Sequence, residues 1–327
     1  MAKQKINPKA KTINLKTNSE WEVFLIHGYT GSPTDFHKLP EKLNKELGIN
    51  VFAPLLNGHG TKIQDLDKMN YDDFYNQVES LLKKEIKKGK KIILGGISFG
   101  GFLASELAAK HNLEGLFLIS TPYTLSFPFS VKGIGLLGHF KKHWKKRISQ
   151  EEKLLRDKAF HYKFMHKNGF FLAKKGSKRI KSFLKKIDLP VLLAHTKKDP
   201  IGHYSSIYKM SKLMPSNTKE LKLFEEVNHN LFYSKKEKFL SQEITDFISK
   251  VKKGYFSKLK SKKKTVAAIV PAYNEEKRIG PVLRELRKSK ILNEIIVVDD
   301  GSKDKTEKIA RSFPRIKFIK NTRNMGK

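Results

Sequence analysis

Short apolar runs alternate with segments of helical periodicity between Trp21 and about Lys250. Strands that alternate with helices are typical of βαβ units, whose parallel strands are buried on both faces. The pattern therefore predicts an α/β domain over residues 20–250, preceded by a basic N-terminal segment over residues 1–19. The runs predicted as strands are Val23–Ile26, Val51–Ala53, Ile92–Leu94, Leu116–Ile119, Val191–Ala194 and Leu221–Phe224.

The alternation lapses between Thr121 and Lys186. This stretch opens with an apolar run that Pro and Gly interrupt, and it contains about 18 Lys and Arg against three acidic residues. We interpret residues 121–186 as a helical cap inserted into the α/β domain. Apolar side chains from Leu125 to Leu137 form the opening of this cap.

A second, shorter α/β pattern follows a lysine-rich segment. Residues 251–264 contain many lysines and no acid, which predicts a solvated linker. Strands are predicted at Val266–Val270 and Ile295–Val298, with a helix after each. Some sixty residues with this few elements do not bury an α/β core alone. Residues 265–327 are therefore interpreted as the N-terminal part of a larger domain.

Composition narrows the classes of function. The chain of 327 residues has no cysteine, which excludes disulfide scaffolds, thiolate zinc sites and cysteine nucleophiles and favours a reducing compartment. Its N-terminus lacks an apolar signal-peptide core, and no run of about 18 apolar residues occurs. We therefore predict a cytoplasmic location.

The net charge of +35 raises the question of an anionic partner. Only nine of the 67 cationic residues are Arg, whereas specific phosphate and base recognition favours the guanidinium fork. We therefore expect solvated lysine faces first, peripheral contact with the anionic inner face of a membrane second, and nucleic acid as an unlikely partner.

One serine stands in the sequence Gly-Ile-Ser-Phe-Gly, between a predicted strand and a helical segment. A strand-to-helix corner of this kind is the context of a nucleophile elbow, which makes Ser98 the predicted nucleophile. The elbow strains the serine backbone and packs helix against strand, so small residues are required at Gly96, Gly100 and Gly101.

A serine nucleophile needs a base and a carboxylate that orients it. In parallel sheets such groups gather at the carboxyl ends of the strands. Asp199 follows a predicted strand, whereas Asp188 precedes it, and His229 follows the last strand. His203 is the rival base, four residues beyond Asp199. The order Ser98, Asp199, His229 is that of the α/β-hydrolase fold, and this chemistry requires no cofactor.

The glycine-rich stretch FLIHGYTG follows the first central strand. Its backbone N–H at Tyr29, together with that of Phe99, would form an oxyanion hole. His27 is interpreted as a side chain that braces this loop. His59, in the sequence NGHG, is interpreted as part of a structural turn that lines the site.

These motifs resemble the α/β-hydrolase superfamily, and in particular the carboxylesterase and monoacylglycerol lipase group with its serine aminopeptidase-like members. The resemblance implies hydrolysis of a small-molecule or lipid ester through an acyl-enzyme. The chain departs from the family pattern at Asn228, where glycine is frequent, and in its basic cap. Two alternatives stay open, namely a peptidase or amidase with the same triad, and a catalytically silent module that binds an anionic membrane surface.

The stretches VAAIVPAYNEEKRIGPVL and NEIIVVDDGSKDKT resemble the start of family 2 glycosyltransferases of GT-A fold, similar to dolichyl-phosphate mannosyltransferases. The resemblance implies a nucleotide-sugar site in which Pro271 and Tyr273 wall the base, Glu275 accepts from ribose or base, and Asp300 accepts a base N–H. A complete domain also implies a divalent cation on an Asp-x-Asp motif. We expect that motif beyond Lys327, so this chain is predicted to hydrolyse esters but to transfer no sugar.

Overall fold

The computed structural model describes residues 5–126, 143–145, 159–225, 229–256, 266–289, 291–314 and 316–324. The chain divides into two compact units, Met1–Leu259 and Lys260–Lys327, whose boundary falls inside the predicted linker. Each unit is described by itself.

The first unit is built on a mostly parallel sheet. Among the described residues its strands are β1 (Ile13–Leu15), β2 (Trp21–Ile26), β3 (Asn50–Ala53), β4 (Lys91–Ile97), β5 (Gly115–Ile119), β6 (His143–Lys145), β7 (Phe164–His166), β8 (Val191–Thr196) and β9 (Lys219–Phe224). Its helices are α1 (Leu39–Leu47), α2 (Tyr71–Lys87), α3 (Phe99–Lys110), α4 (Lys167–Leu184), α5 (Ser205–Leu213) and α6 (Glu237–Lys252).

The main sheet has the strand order β1-β3-β2-β4-β5-β8-β9. The strands from β3 to β9 in this order are parallel, and only β1 pairs antiparallel, with β3. The central strands β5 and β8 are buried along their whole length, as expected for strands that helices cover on both faces. The predicted α/β fold is confirmed.

Two apolar clusters fill the space between the sheet and its helices. One cluster joins α2, α3, α4 and α5 to the sheet through side chains such as Phe74, Phe102 and Ile180. The other joins α1 and α6 through Leu43 and Phe247. Asn70 caps the N-terminus of helix α2, because its side chain accepts the backbone N–H groups of Asp72 and Asp73 in the first turn.

Two predicted boundaries differ from the structure. Within the supposed basic segment, residues Ile13–Leu15 form the edge strand β1, which pairs with β3, and the buried side chain of Asn50 forms hydrogen bonds with Thr17 and Ser19 just after this strand. Three residues flanked by lysines carry too little periodicity to be recognised as a strand. At the other end, Val251 and Phe256 are buried against the first unit, so the solvated linker begins later than residue 251.

The cap is described in part. Strand β7 pairs antiparallel with β6, and α4 follows directly and packs on α3. Residues 127–142 and 146–158 of the predicted cap, which include most of its apolar opening, lie outside the described residues, as does Asn228. None of the helices in the described ranges is long and apolar enough to cross a membrane.

The second unit is a small parallel sheet in the order β10 (Ala267–Ala272), β11 (Glu294–Asp299) and β12 (Ile316–Lys320). Helices α7 (Ile279–Arg287) and α8 (Thr306–Arg311) connect the strands. Leu283, Val297 and Ala310 form the centre of its apolar cluster. This arrangement is consistent with a partial GT-A domain.

Candidate active site

Ser98 lies at the corner between β4 and α3, with a positive φ of 52°. That backbone conformation is strained for a residue with a side chain, and close packing around it holds it in place. A Cβ at Gly96 would lie 2.6 Å from the carbonyl oxygen of Gly100, and one at Gly100 would lie 2.6 Å from the carbonyl oxygen of His27. A Cβ at Gly101 would overlap the hydroxyl of Thr121. The predicted need for three small residues is confirmed.

His229 joins the two other predicted groups. Its Nδ1 lies 2.7 Å from Asp199 Oδ2, and its Nε2 lies 2.7 Å from Ser98 Oγ. The three residues follow β9, β8 and β4, so all stand at the carboxyl edge of the sheet. Because Nδ1–H donates to the carboxylate, Nε2 is free to accept the serine proton.

Asp199 is held on both oxygens. Its Oδ1 accepts the backbone N–H groups of Ile201, at 2.7 Å, and Gly202, at 3.0 Å, which leaves Oδ2 for His229. Burial alone would raise the pKa of the Asp199 carboxyl, but the charge and hydrogen bond of His229 and the Gly202 N–H outweigh it and hold that pKa below its usual value. The carboxylate therefore stays ionised inside the protein.

Asp199 and His229 differ in solvent exposure. The Asp199 side chain is fully buried, while 19% of the His229 side chain is exposed. A substrate can therefore reach the imidazole but not the carboxylate.

The rival base His203 is turned away, since its Nδ1 lies 2.8 Å from the hydroxyl of Ser205. Asp188 is exposed before β8, at the opposite edge.

A further histidine stands beside the carboxylate. His195, the penultimate residue of β8, is fully buried with Nε2 at 3.7 Å from Asp199 Oδ2. Its Nδ1 lies 2.9 Å from the backbone N and 3.1 Å from the backbone O of Thr196, and its Nε2 forms no hydrogen bond with the described residues. Burial lowers the pKa of His195, more strongly than the Asp199 charge raises it. No sequence pattern marks His195 as part of the site, because a histidine inside an apolar strand has no local signature.

The loop after β2 carries Tyr29, one of the two predicted oxyanion donors. His27 Nδ1–H donates to the carbonyl of Gly28 at 2.8 Å, and the N–H of Leu56 donates to His27 Nε2 at 3.0 Å. Gly28 and Tyr29 share one planar peptide, so a carbonyl fixed on one side directs the Tyr29 N–H to the other. The predicted bracing role of His27 is confirmed.

His59 braces the same loop from the opposite side, through a hydrogen bond from Nε2 to the carbonyl of Tyr29. The rings of His27 and His59 meet edge to face, 4.8 Å apart. Burial, and secondarily His59, lower the pKa of His27 well below its usual value. His27 therefore acts as a neutral hydrogen-bonding brace, and His59 adds a second hydrogen bond to the same loop. The second predicted oxyanion donor, Phe99, follows Ser98 as the first residue of α3.

Helix α4 closes one side of this region. A Cβ at Gly169 would lie 2.7 Å from the ring of Tyr29, so the helix backbone rests on that ring. Arg179 of the same helix makes two hydrogen bonds, of 2.6 and 2.9 Å, to the buried carboxylate of Glu106 on α3. This anchor was not predicted, because the two residues are 73 positions apart.

In the second unit, the predicted nucleotide-sugar residues gather at one edge. Pro271 and Asp300 stand at the ends of the neighbouring strands β10 and β11, and Asp300 N donates to Ala272 O at 2.8 Å. Tyr273 is exposed, and Glu275 pairs with Arg278 at 2.7 Å.

Polar residues outside the predicted set connect the loops after β10 and β11 through hydrogen bonds. The side-chain oxygen of Asn274 accepts the N–H of Lys303 at 3.0 Å, and Ser302 Oγ accepts the N–H of Asn274 at 2.8 Å. Asp304 accepts the N–H of Glu276 at 3.0 Å. These hydrogen bonds hold the two loops in place around the predicted residues. The Asn and Ser-x-Asp positions beside the motifs are the sequence feature from which such hydrogen bonds could have been predicted.

Comparison with known proteins agrees with this geometry. Residues 17–236 match the family model described as serine aminopeptidase, S33, which is more than half of the chain. The chain belongs to this α/β-hydrolase family. Residues 267–327 match the model of glycosyl transferase family 2.

Relatives of the hydrolase unit include a lipase and a carboxylesterase. A thermostable monoacylglycerol lipase of Bacillus sp. (strain H-257) is 35% identical over 89 residues, 27% of this chain and 35% of that protein. The match therefore spans about a third of the lipase. A carboxylesterase of Bacillus subtilis is 21% identical over 230 residues, 70% of this chain and 92% of that protein.

Solved structures share the fold. One of them comes from work on the metagenome-derived lipolytic enzymes LipS and LipT, and its TM-score to this chain is 0.66 at 18% sequence identity. The match covers 75% of this chain and 100% of the solved chain. For the second unit, a dolichyl-phosphate beta-glucosyltransferase of Trichomonas vaginalis is 39% identical over 75 residues, 19% of this chain and 23% of that protein.

Proposed function

We propose that the first unit is a serine hydrolase that cleaves carboxylic esters through an acyl-enzyme. The proposal rests on one observation above all, the placement of His229 between Asp199 and Ser98 with 2.7 Å to each. A serine hydroxyl becomes an effective nucleophile when a positioned base accepts its proton. The strained φ of Ser98 and the family membership point to the same chemistry.

In the first half-reaction, Ser98 Oγ attacks the ester carbonyl carbon while His229 Nε2 takes its proton. The N–H groups of Tyr29 and Phe99 donate to the resulting oxyanion. His229 then gives the proton to the leaving alcohol, and the C–O bond breaks to leave an acyl group on Ser98. Asp199 orients the imidazole and stabilises its cation throughout.

In the second half-reaction, a water replaces the alcohol. His229 takes a proton from this water, whose oxygen attacks the acyl carbon. The bond from that carbon to Ser98 Oγ then breaks, and His229 returns the proton to Oγ, which releases the acid and restores Ser98. All proton transfers run through one nitrogen. The reaction therefore requires neither metal nor organic cofactor.

We further propose a lipid or small aromatic or aliphatic ester as substrate. The rings of Tyr29, Phe74 and Phe99 meet edge to face beside the oxyanion loop and supply apolar surroundings. The lipases and esterases among the relatives favour the same class. An amide substrate would use the same groups but has a poorer leaving group, and a silent module would not need an assembled triad.

The test is hydrolysis of p-nitrophenyl esters of increasing chain length, of monoacylglycerols, and of matched amides. We expect ester hydrolysis by the native chain, and a loss of about four orders of magnitude or more in kcat for Ser98→Ala. The matched control is His203→Ala, which removes the rival histidine and should retain full activity. Turnover that is unchanged in Ser98→Ala would contradict the proposal.

For the second unit we propose that Pro271, Tyr273, Glu275 and Asp300 bind the nucleoside part of a nucleotide sugar. The four residues share one edge, which supports a planar base stacked beside Tyr273. We expect Tyr273→Ala to weaken binding of nucleoside diphosphates to the full chain, as measured by calorimetry. Unchanged binding would contradict this assignment.

A divalent cation belongs to the chemistry that the family resemblance implies. The described residues do not fit it, since no group of three His, Asp or Glu side chains that could hold a metal occurs among them. Of the two adjacent acids, Asp299 accepts from the N–H and hydroxyl of Ser302, and Asp300 accepts from Asn321. We therefore assign no step of sugar transfer to this unit.

A further inference from the structure

Helix α4 has two chemically distinct faces. Small and apolar residues at helical spacing form its buried side, namely Gly169, Leu172, Gly176, Ile180 and Leu184. Residues on the opposite side follow the same three- and four-residue spacing. They are Phe171, Lys174, Lys178, Lys181 and, one residue past the helix, Lys185. We call the four lysines the lysine face of α4.

The lysine face carries positive charge that no acidic side chain in the described part of the chain neutralises. Lys178, Lys181 and Lys185 are exposed, and no carboxylate of the described residues forms an ion pair with any of the four lysines. The neighbouring Lys175 points elsewhere and pairs with Asp72 at 3.1 Å. Three exposed lysines and the half-buried Lys174 therefore lie on one side of one helix, within about three helical turns.

Large apolar side chains are exposed at the start of this helix. Phe171 is 42% exposed, and Phe164, on the preceding strand β7, is 43% exposed. Leaving aromatic rings in water is unfavourable, and rings beside lysines are the usual composition of surfaces that lie on a bilayer. A polyanion such as nucleic acid would instead favour Arg over Lys.

The buried side of α4 links this surface to the candidate active site. Gly169 lies against the ring of Tyr29, and a Cβ at Gly176 would lie 2.5 Å from the ring of Phe102 on α3. Arg179 is clamped to Glu106 of α3. The helix that carries the lysines is therefore fixed to the oxyanion loop and to the helix that follows Ser98.

We propose that the lysine face of α4, with Phe171, is a docking surface for an anionic lipid bilayer. Docking brings the cap side of the first unit to the membrane, where ester-containing lipids are concentrated. The attachment itself does not depend on catalysis, whereas its benefit to the reaction rests on the ester hydrolysis proposed above.

The experiment is co-sedimentation of the full chain with vesicles of phosphatidylcholine alone or with about one third phosphatidylglycerol. The test variant replaces Lys174, Lys178, Lys181 and Lys185 with Gln. Each lysine near an anionic leaflet contributes roughly a fivefold gain in binding, so this variant should bind anionic vesicles about a hundredfold to a thousandfold more weakly. The matched control removes four other exposed lysines, namely Lys38, Lys45, Lys84 and Lys87.

The control variant should bind nearly as tightly as the native chain, and Ser98→Ala should bind equally well, which separates docking from catalysis. Hydrolysis of a short water-soluble ester by the test variant checks that it folds. The proposal is overturned if the test and control variants lose the same affinity for anionic vesicles, or if the native chain binds neutral and anionic vesicles equally. It is also overturned if a duplex RNA displaces the native chain from vesicles and binds the test variant, but not the control variant, more weakly than the native chain.

Discussion

Replacing Gly96 with alanine tests the packing that holds the nucleophile. The added Cβ would lie 2.6 Å from Gly100 O and 2.7 Å from both Gly100 C and Gly101 Cα, all of them backbone atoms that no side-chain rotation can move. Separating them to an ordinary 3.4 Å requires the first turn of α3 to shift by about 0.8 Å relative to β4. We expect Gly96→Ala to cost about 1–3 kcal/mol of folding free energy.

The same shift displaces Ser98, which stands between the two elements, from His229. Displacements of this size reduce catalysis by about tenfold to a hundredfold, so kcat/KM for a p-nitrophenyl ester should fall by that factor. Thermal denaturation should show a Tm lower by about 2–10 °C. Gly28→Ala is the matched control for stability, because its Cβ meets nothing nearer than 3.6 Å. Equal melting temperatures for the two variants would refute the packing argument.

The remaining predictions concern the cap anchor and a buried histidine. Arg179→Leu should lower the free energy of unfolding, measured with urea, by about 2–3 kcal/mol. The buried Glu106 would then keep Lys110, at 2.7 Å, as its one cationic partner among the described residues. An unchanged urea midpoint would contradict this prediction. The pKa of His195 is lowered in the folded state, so below pH 6.5 the unfolded chain takes up a proton that the folded chain resists. Stability should therefore fall with decreasing pH below 6.5, by up to about 1.4 kcal/mol per unit from this group, and His195→Asn should show a shallower slope. Parallel slopes for the two proteins would exclude this contribution.

The sequence was most informative where chemistry and chain order coincide. The elbow glycines follow from local sterics, and the groups after β4, β8 and β9 meet because parallel strands end at one edge. Ser98, Asp199 and His229 could therefore be grouped from the sequence alone. The central strands were recognised because burial on both faces makes them continuously apolar.

Contacts between distant segments could not be predicted in this way. The Arg179–Glu106 clamp and the position of His195 beside Asp199 depend on how helices and strands pack, and no spacing along the chain encodes them. The edge strand β1 was missed because it has only three residues, and its pairing with β3 is a contact between distant segments that its own periodicity does not indicate. Phe256 is likewise buried because it contacts the apolar cluster around α6. The lysines of its segment had predicted a solvent-exposed linker.

Labelling with a fluorophosphonate tests the central claim most directly, because the reagent forms a covalent bond only with an activated serine. Mass spectrometry of the native chain should show one added phosphonyl group, on the peptide that contains Ser98. Ser98→Ala should remain unlabelled, and His229→Ala should react far more slowly because the hydroxyl lacks its base. Labelling that persists in Ser98→Ala, or that maps to another serine, would contradict the account.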